Sequence, residues 1–182
     1  MNKKILVPIA ITLVLGLGIG SSITPFNKVF QKQTDFKVNY DVETTTYDGN
    51  HNILTYEKTH NTFVDAGKNW TRDCIGQGIC GATAFKYIAV GNTTAPTSSS
   101  TSLAGEIADC GLARASGTYA TIGTGNWSIT YLWTSSCNNE AVNTTALFNA
   151  SSTGTMFMGD SFTTVTLQNT HQLNITITQW VA

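Results

Sequence analysis

The chain has 182 residues, a net charge of −1 and only 12% charged side chains. That length suits one domain of ordinary size behind a short leader. After Lys86 the only basic residue is Arg114, which argues against a nucleic-acid partner, since such binding needs a field of Lys and Arg to displace counterions. Thr and Ser are abundant while Glu and Lys are scarce, a composition that suits strands better than helices.

Asn2-Lys3-Lys4 precedes an uncharged run from Ile5 to Ile23. A basic start followed by an apolar segment reads as a signal peptide or an uncleaved signal anchor. The run is near the lower limit for a spanning helix, about 17–25 residues. Lys3 and Lys4 would stay in the cytoplasm and everything after Ser22 would be exported. Residues 1–23 are therefore expected to be leader or anchor, 24–35 a tether broken by Pro25, and 36–182 an extracellular domain. The membrane is an expected partner through Ile5–Ile23 if the leader is retained.

Phe36 to Glu43 alternates, with Phe36, Val38, Tyr40 and Val42 expected inward and Lys37, Asn39, Asp41 and Glu43 toward water. Asp48-Gly49-Asn50 signals a turn with positive φ at glycine, and Asn52 to His60 returns as a second strand. The first strand has two possible homes: this hairpin, which closes the shorter loop, or a groove in the next subunit of a filament. Asn61 is the expected N-cap of a helix carrying Phe63, Gly67, Trp70 and Cys74 on one face, with Gly76 as its C-terminal cap. Gly76-Gln77-Gly78-Ile79-Cys80-Gly81 spells GxGxxG, but it closes a helix instead of opening one, so a turn is expected and not a dinucleotide site.

Phe85 to Val90 reads as a short strand and Gly91 to Ser102 as an exposed connector. Gly111 to Thr121 is expected to form one strand that turns at Gly123-Thr124-Gly125. The segment Asn126 to Thr134 follows, with Trp127, Ile129, Tyr131 and Trp133 on one face and Ser128, Thr130 and Thr134 on the other. This alternation of aromatic and β-branched residues makes it the expected central strand. An exposed aromatic row would favour a binding module, and a buried one a scaffold. Ala141 to Ala150, Phe162 to Leu167 and Leu173 to Val181 supply further strands, the last with Leu173, Ile175, Ile177 and Val181 on its apolar face. Recurrent strands separated by turn signals indicate a mainly β fold: a two-sheet sandwich or jelly-roll-like domain with one short helix, preceded by an N-terminal hydrophobic helix.

The four cysteines Cys74, Cys80, Cys110 and Cys137 match no zinc spacing. In an exported chain they suggest two disulfides; of three possible connectivities, Cys74–Cys80 and Cys110–Cys137 close the shorter loops. Asn-x-Ser/Thr sequons occur at Asn69, Asn92, Asn126, Asn143, Asn149 and Asn174. All are glycosylation candidates if the cell glycosylates; Asn92, on an exposed loop, leads them, and Asn69 is among the least favoured.

Gly159-Asp160-Ser161 resembles the nucleophile block of GDS-type esterases. That family places the block early and an Asp-x-x-His late; here Ser161 is late and His171 lacks the Asp. A turn with Asp160 capping backbone amides is expected instead. His51 and His60, nine positions apart, fall on opposite faces of a strand with no third matched ligand, and Glu106, Asp109 and Asp160 lack calcium-loop spacing. No catalytic, cofactor or metal site is expected, and the chain is not expected to be an enzyme.

Ala66-Gly67-Lys68-Asn69-Trp70, Gly111-Leu112-Ala113-Arg114-Ala115-Ser116-Gly117-Thr118-Tyr119, Asn126-Trp127-Ser128-Ile129-Thr130-Tyr131 and the run from Val142-Asn143 through Leu147-Phe148-Asn149-Ala150 resemble blocks in uncharacterised proteins of phages and archaeal viruses or proviruses. The resemblance spans Asn61 to Val181 and implies a structural β-domain of a particle or cell surface. A looser similarity, of architecture alone, is to exported archaeal filament subunits. The expected role is therefore an exported, membrane-associated structural or interaction domain, a filament subunit being one form of it. The alternative is a carbohydrate- or partner-binding module, and the third reading is a hydrolase using Ser161.

Overall fold

A computed structural model describes residues 38–60, 62–78 and 84–181. The leader, the tether, Phe36, Asn61 and Cys80 lie outside the described residues. Among those described, no helix is long and apolar enough to cross a membrane.

The strands are β1 (Val38–Tyr47), β2 (Ile53–His60), β3 (Thr62–Phe63), β4 (Tyr87–Gly91), β5 (Ala115–Ser116), β6 (Thr118–Gly123), β7 (Asn126–Thr134), β8 (Glu140–Phe148), β9 (Met156–Leu167) and β10 (Gln172–Val181), with one helix, α1 (Asp65–Gln77). They form two five-stranded antiparallel sheets, ordered β2-β1-β10-β7-β6 and β3-β9-β8-β4-β5. The fold is thus mainly β, a two-sheet sandwich with one short helix.

Period-two patterning explains the core. Val42, Ile129, Trp133, Leu173, Ile175 and Ile177 of the first sheet meet Ile88, Leu147, Phe157, Met158 and Leu167 of the second, all buried. The second sheet is covered on its other face too, where Ala89, Ala146, Phe148 and Met156 pack with Val64 and Leu103. That double burial leaves nearly every residue of β8 from Val142 to Phe148 buried, Thr144 and Thr145 included. The outer face of the first sheet instead carries hydroxyls, including the Thr130–Thr176 pair at 3.0 Å.

Several expectations need correction. The aromatic strand β7 is interior but not central; β10 is, flanked by β1 and β7. On β10, Val181 is 40% exposed, because the strand runs past the core. β1 takes the hairpin home, pairing with β2 from Asp41 to Tyr47 and with β10 along its whole length. Asp41 is buried, not solvent-facing, beneath Lys58 Nζ at 2.8 Å and His60 Nδ1 at 2.6 Å. In the β1–β2 turn the left-handed residue is His51, not Gly49. Asp48 shapes that turn by accepting from the Asn50 and Asn52 amides at 2.8 and 2.9 Å. These bonds, that of the Asn52 side chain foremost, hold its carboxyl below the ordinary range.

The helix starts later than expected. Thr62 and Phe63 pair with β9 as β3, Val64 is the N-cap with no side-chain bond, and the left-handed Gly78, not Gly76, closes the helix. The loop 92–102 is anchored, not a plain connector: the Ser98 carbonyl accepts the Asp65 amide at 2.7 Å. The expected strand from Gly111 to Thr121 is divided. β5 pairs with β4 in one sheet, β6 with β7 in the other, and the chain crosses at Gly117. A Cβ there would lie 2.5 Å from Ile129 Cγ2, so the crossing needs glycine.

Cys110 and Cys137 form a disulfide, with Cα atoms 5.2 Å apart. Cys74 is also disulfide-bonded; its expected partner, Cys80, lies outside the described residues.

Candidate functional site: an aromatic cleft between the sheets

A cleft of about 280 Å³ is lined by residues of both sheets and the helix. Trp127, Ile129 and Gln179 line it from the first sheet, together with Tyr119 of the edge strand β6. Phe157 of β9, Trp70 of α1, and Ala84, Phe85 and Lys86 before β4 complete it.

The helix is brought close by Gly67, where a Cβ would stand 2.1 Å from the Phe157 carbonyl oxygen. This approach sets Trp70 edge-on to Phe85, with centroids 4.9 Å apart, and 6.2 Å from Phe157. Phe85 and Phe157 lie 4.6 Å apart beneath it. Tyr119 is 60% exposed at the rim. The floor is an aromatic cluster, and among the described lining residues Lys86 is the one of basic or acidic type.

Gln179 is the anomaly. It occupies a core-facing position of β10, two residues beyond Ile177, and is 2% exposed. Its register partners are Tyr40 on one side and Trp127 on the other. No hydrogen bond among the described residues engages its side-chain amide. The Tyr40 hydroxyl is likewise buried without a partner, and burial pushes that phenol up. Gln179 is thus a buried polar side chain on the wall of the cleft, and Tyr40 lies outside the lining.

The other sequence candidates are dispersed. Gly159-Asp160-Ser161 lies within β9 and not in a turn. Asp160 is buried; its Oδ2 accepts from Thr59 Oγ1 and its Oδ1 from the Ser161 amide. Burial pushes its carboxyl up, partly opposed by those two bonds. Ser161 is exposed, and among the described residues no hydrogen bond joins its hydroxyl to a histidine. His60 is bound to Asp41, His51 is in the first hairpin turn and His171 precedes β10.

Glu106 accepts from Arg114 Nε and Nη2, at 2.8 and 2.6 Å. Asp109 and Glu140 border the same shallow pocket as Glu106. Among the described residues no group of three His, Cys, Asp or Glu is arranged to hold a metal.

Of the sequon asparagines, Asn69 and Asn92 are exposed. Asn143 and Asn149 are committed to the Thr93 carbonyl and the Thr155 amide. Asn126 Oδ1 is buried, and Asn174 is half-buried on β10. Asn69 is thus more accessible than its helical position suggests.

Sequence reasoning placed Trp70 and Trp127 on packing faces and passed over Lys86, Tyr119 and Gln179. A usable signal was present: Gln179 interrupts the apolar series Leu173, Ile175, Ile177 at a position facing the interior. No protein-family model matches the chain, and no curated protein sequence matches it.

Proposed function

We propose that this is an exported interaction domain of a cell or particle surface, and that it binds a glycan ring in the cleft between its sheets. The β7 aromatic row packs on the core, as a scaffold requires; the observation that carries the binding reading is Gln179, a buried polar side chain on the cleft wall beside Trp127 that no hydrogen bond among the described residues engages. A pyranose ring offers an apolar face to stack on indole and phenol rings, and hydroxyls to satisfy the amide. A pure hydrocarbon would leave that amide unpaired. A nucleotide would bring several negative charges to a mouth whose described lining holds one lysine.

Surface display is supported by the basic-apolar leader, the Cys110–Cys137 disulfide, which suits an oxidising compartment, and the exposed Asn92 sequon. The blocks resembling phage and archaeal-virus proteins fit the same setting. Binding, not hydrolysis, is favoured because Ser161 lies outside the cleft lining.

The test is a glycan array, followed by calorimetry on the best ligand. Trp127→Ala and Gln179→Leu should each weaken binding about tenfold or more, the loss of one buried polar or stacking contact. Gln179→Leu replaces a buried polar side chain, which no hydrogen bond among the described residues engages, by an apolar one, so its melting temperature should hold or rise, separating lost binding from lost folding. If the parent binds no glycan, or both variants bind as the parent does, the cleft is not a glycan site.

A further inference from the structure

We infer that two copies of this chain associate through β6, edge to edge and antiparallel about a two-fold axis, joining their first sheets into one. β6 ends that sheet, and every residue from Thr118 to Gly123 is exposed. Its backbone pairs with β7 on one side, and among the described residues no other backbone hydrogen bond engages it. A free row of amides and carbonyls is a template for another strand.

Natural edges are usually blunted by charge, proline or cover. Between Arg114 and Glu140 the chain carries no charged residue and no proline. Tyr119 and Ile122 are 60% and 55% exposed on this edge. The opposite edge is different. Strand β2 carries Glu57 and Lys58, and its Glu57 and Thr59 side chains are spent on β9, with Glu57 accepting the Thr163 amide at 2.8 Å.

The favoured partner is a second copy. An uncharged strand can face itself without like charges meeting, and antiparallel pairing is the stronger geometry. A two-fold contact also closes after two subunits. With Ala120 at the axis, Tyr119 of each copy lies opposite Thr121 of the other. Because Tyr119 also lines the cleft, the dimer would set two clefts side by side, which multiplies avidity for a repeated ligand. The association itself does not depend on what the cleft binds.

The test uses the full chain in detergent or nanodiscs, by sedimentation velocity and native mass spectrometry across the micromolar range. The parent should be dimeric. Ala120→Lys and Ala120→Glu, each at an exposed position, should raise the dimer dissociation constant about tenfold or more, since like charges then oppose each other. An equimolar mixture of the two variants should restore a dimer containing one of each. A parent that is monomeric throughout, an Ala120→Lys variant that dimerises like the parent, or a mixture that stays monomeric would overturn the assignment. Association through the apolar leader alone would leave both variants dimeric, and so falls among the overturning results.

Discussion

Asp160 shows how one residue can change meaning between sequence and structure. Beside Ser161 it suggests a catalytic block or a turn; in β9 it is a buried carboxyl tied to Thr59 and Ser161. Burial raises its pKa above that of the unfolded chain, with Glu57 adding to the rise and His60 opposing it. In the window between the unfolded and folded values, the folded state holds a proton that the unfolded state has lost. Stability from this group is therefore greatest below that window and falls as pH rises through it. Asp160→Asn should remove the step, so the stability of the parent minus that of the variant should decline from acid toward neutral pH. Urea unfolding at a series of pH values measures this, and a difference that stays flat or rises would refute it. Arg114 is a second such residue. Composition marks it only as a lone cation. In the fold its side chain is 8% exposed, clamps Glu106, donates to the carbonyls of Ala150 and Thr153, and lies 3.6 Å from the centroid of the Phe148 ring. The contacts to Phe148, Ala150 and Thr153 are long-range, and no local pattern in the sequence announces them.

At the scale of elements, strict alternation was legible. β7 spans Asn126–Thr134 as the pattern implies, and β10 begins one residue before the expected Leu173. Boundaries set by tertiary contact were not. Thr62 and Phe63 look like the start of a helix because Phe63, Gly67 and Trp70 follow helical spacing, yet pairing with β9 takes them into a sheet. Gly117 looks like an ordinary residue of one strand, yet it is where the chain leaves one sheet for the other. Gly67 has a comparable role that spacing alone could not distinguish from a small helix-face residue. Gly67→Ala would usually favour a helix by up to about 1 kcal/mol. Here the Cβ would overlap the Phe157 carbonyl oxygen and approach Phe63 to 2.6 Å. The expected result is a net loss of about 1–3 kcal/mol as α1 is pushed from the sheet. Thermal and chemical unfolding would show it; an unchanged or raised melting temperature would mean that the helix does not sit against β9.

For the whole molecule, the two sheets are treated unequally. The second is buried on both faces, while the first keeps a hydroxyl-rich outer face, an uncharged edge and part of the cleft lining. The fold class was legible because alternation and turn residues are local. The cleft was not, because its lining comes from β6, β7, β9, β10, α1 and the segment before β4, brought together only by the packing of the sheets. The most direct measurement is a nuclear magnetic resonance titration of isotope-labelled protein with the best glycan from the array. The account requires the Gln179 side-chain amide and the Trp127 indole N–H to shift with ligand concentration, and sugar ring protons to show contacts to the Trp127 and Tyr119 rings. Shifts confined to the outer face of the first sheet, around Thr130, Asn174 and Thr176, with the Gln179 amide unmoved at saturation, would contradict it.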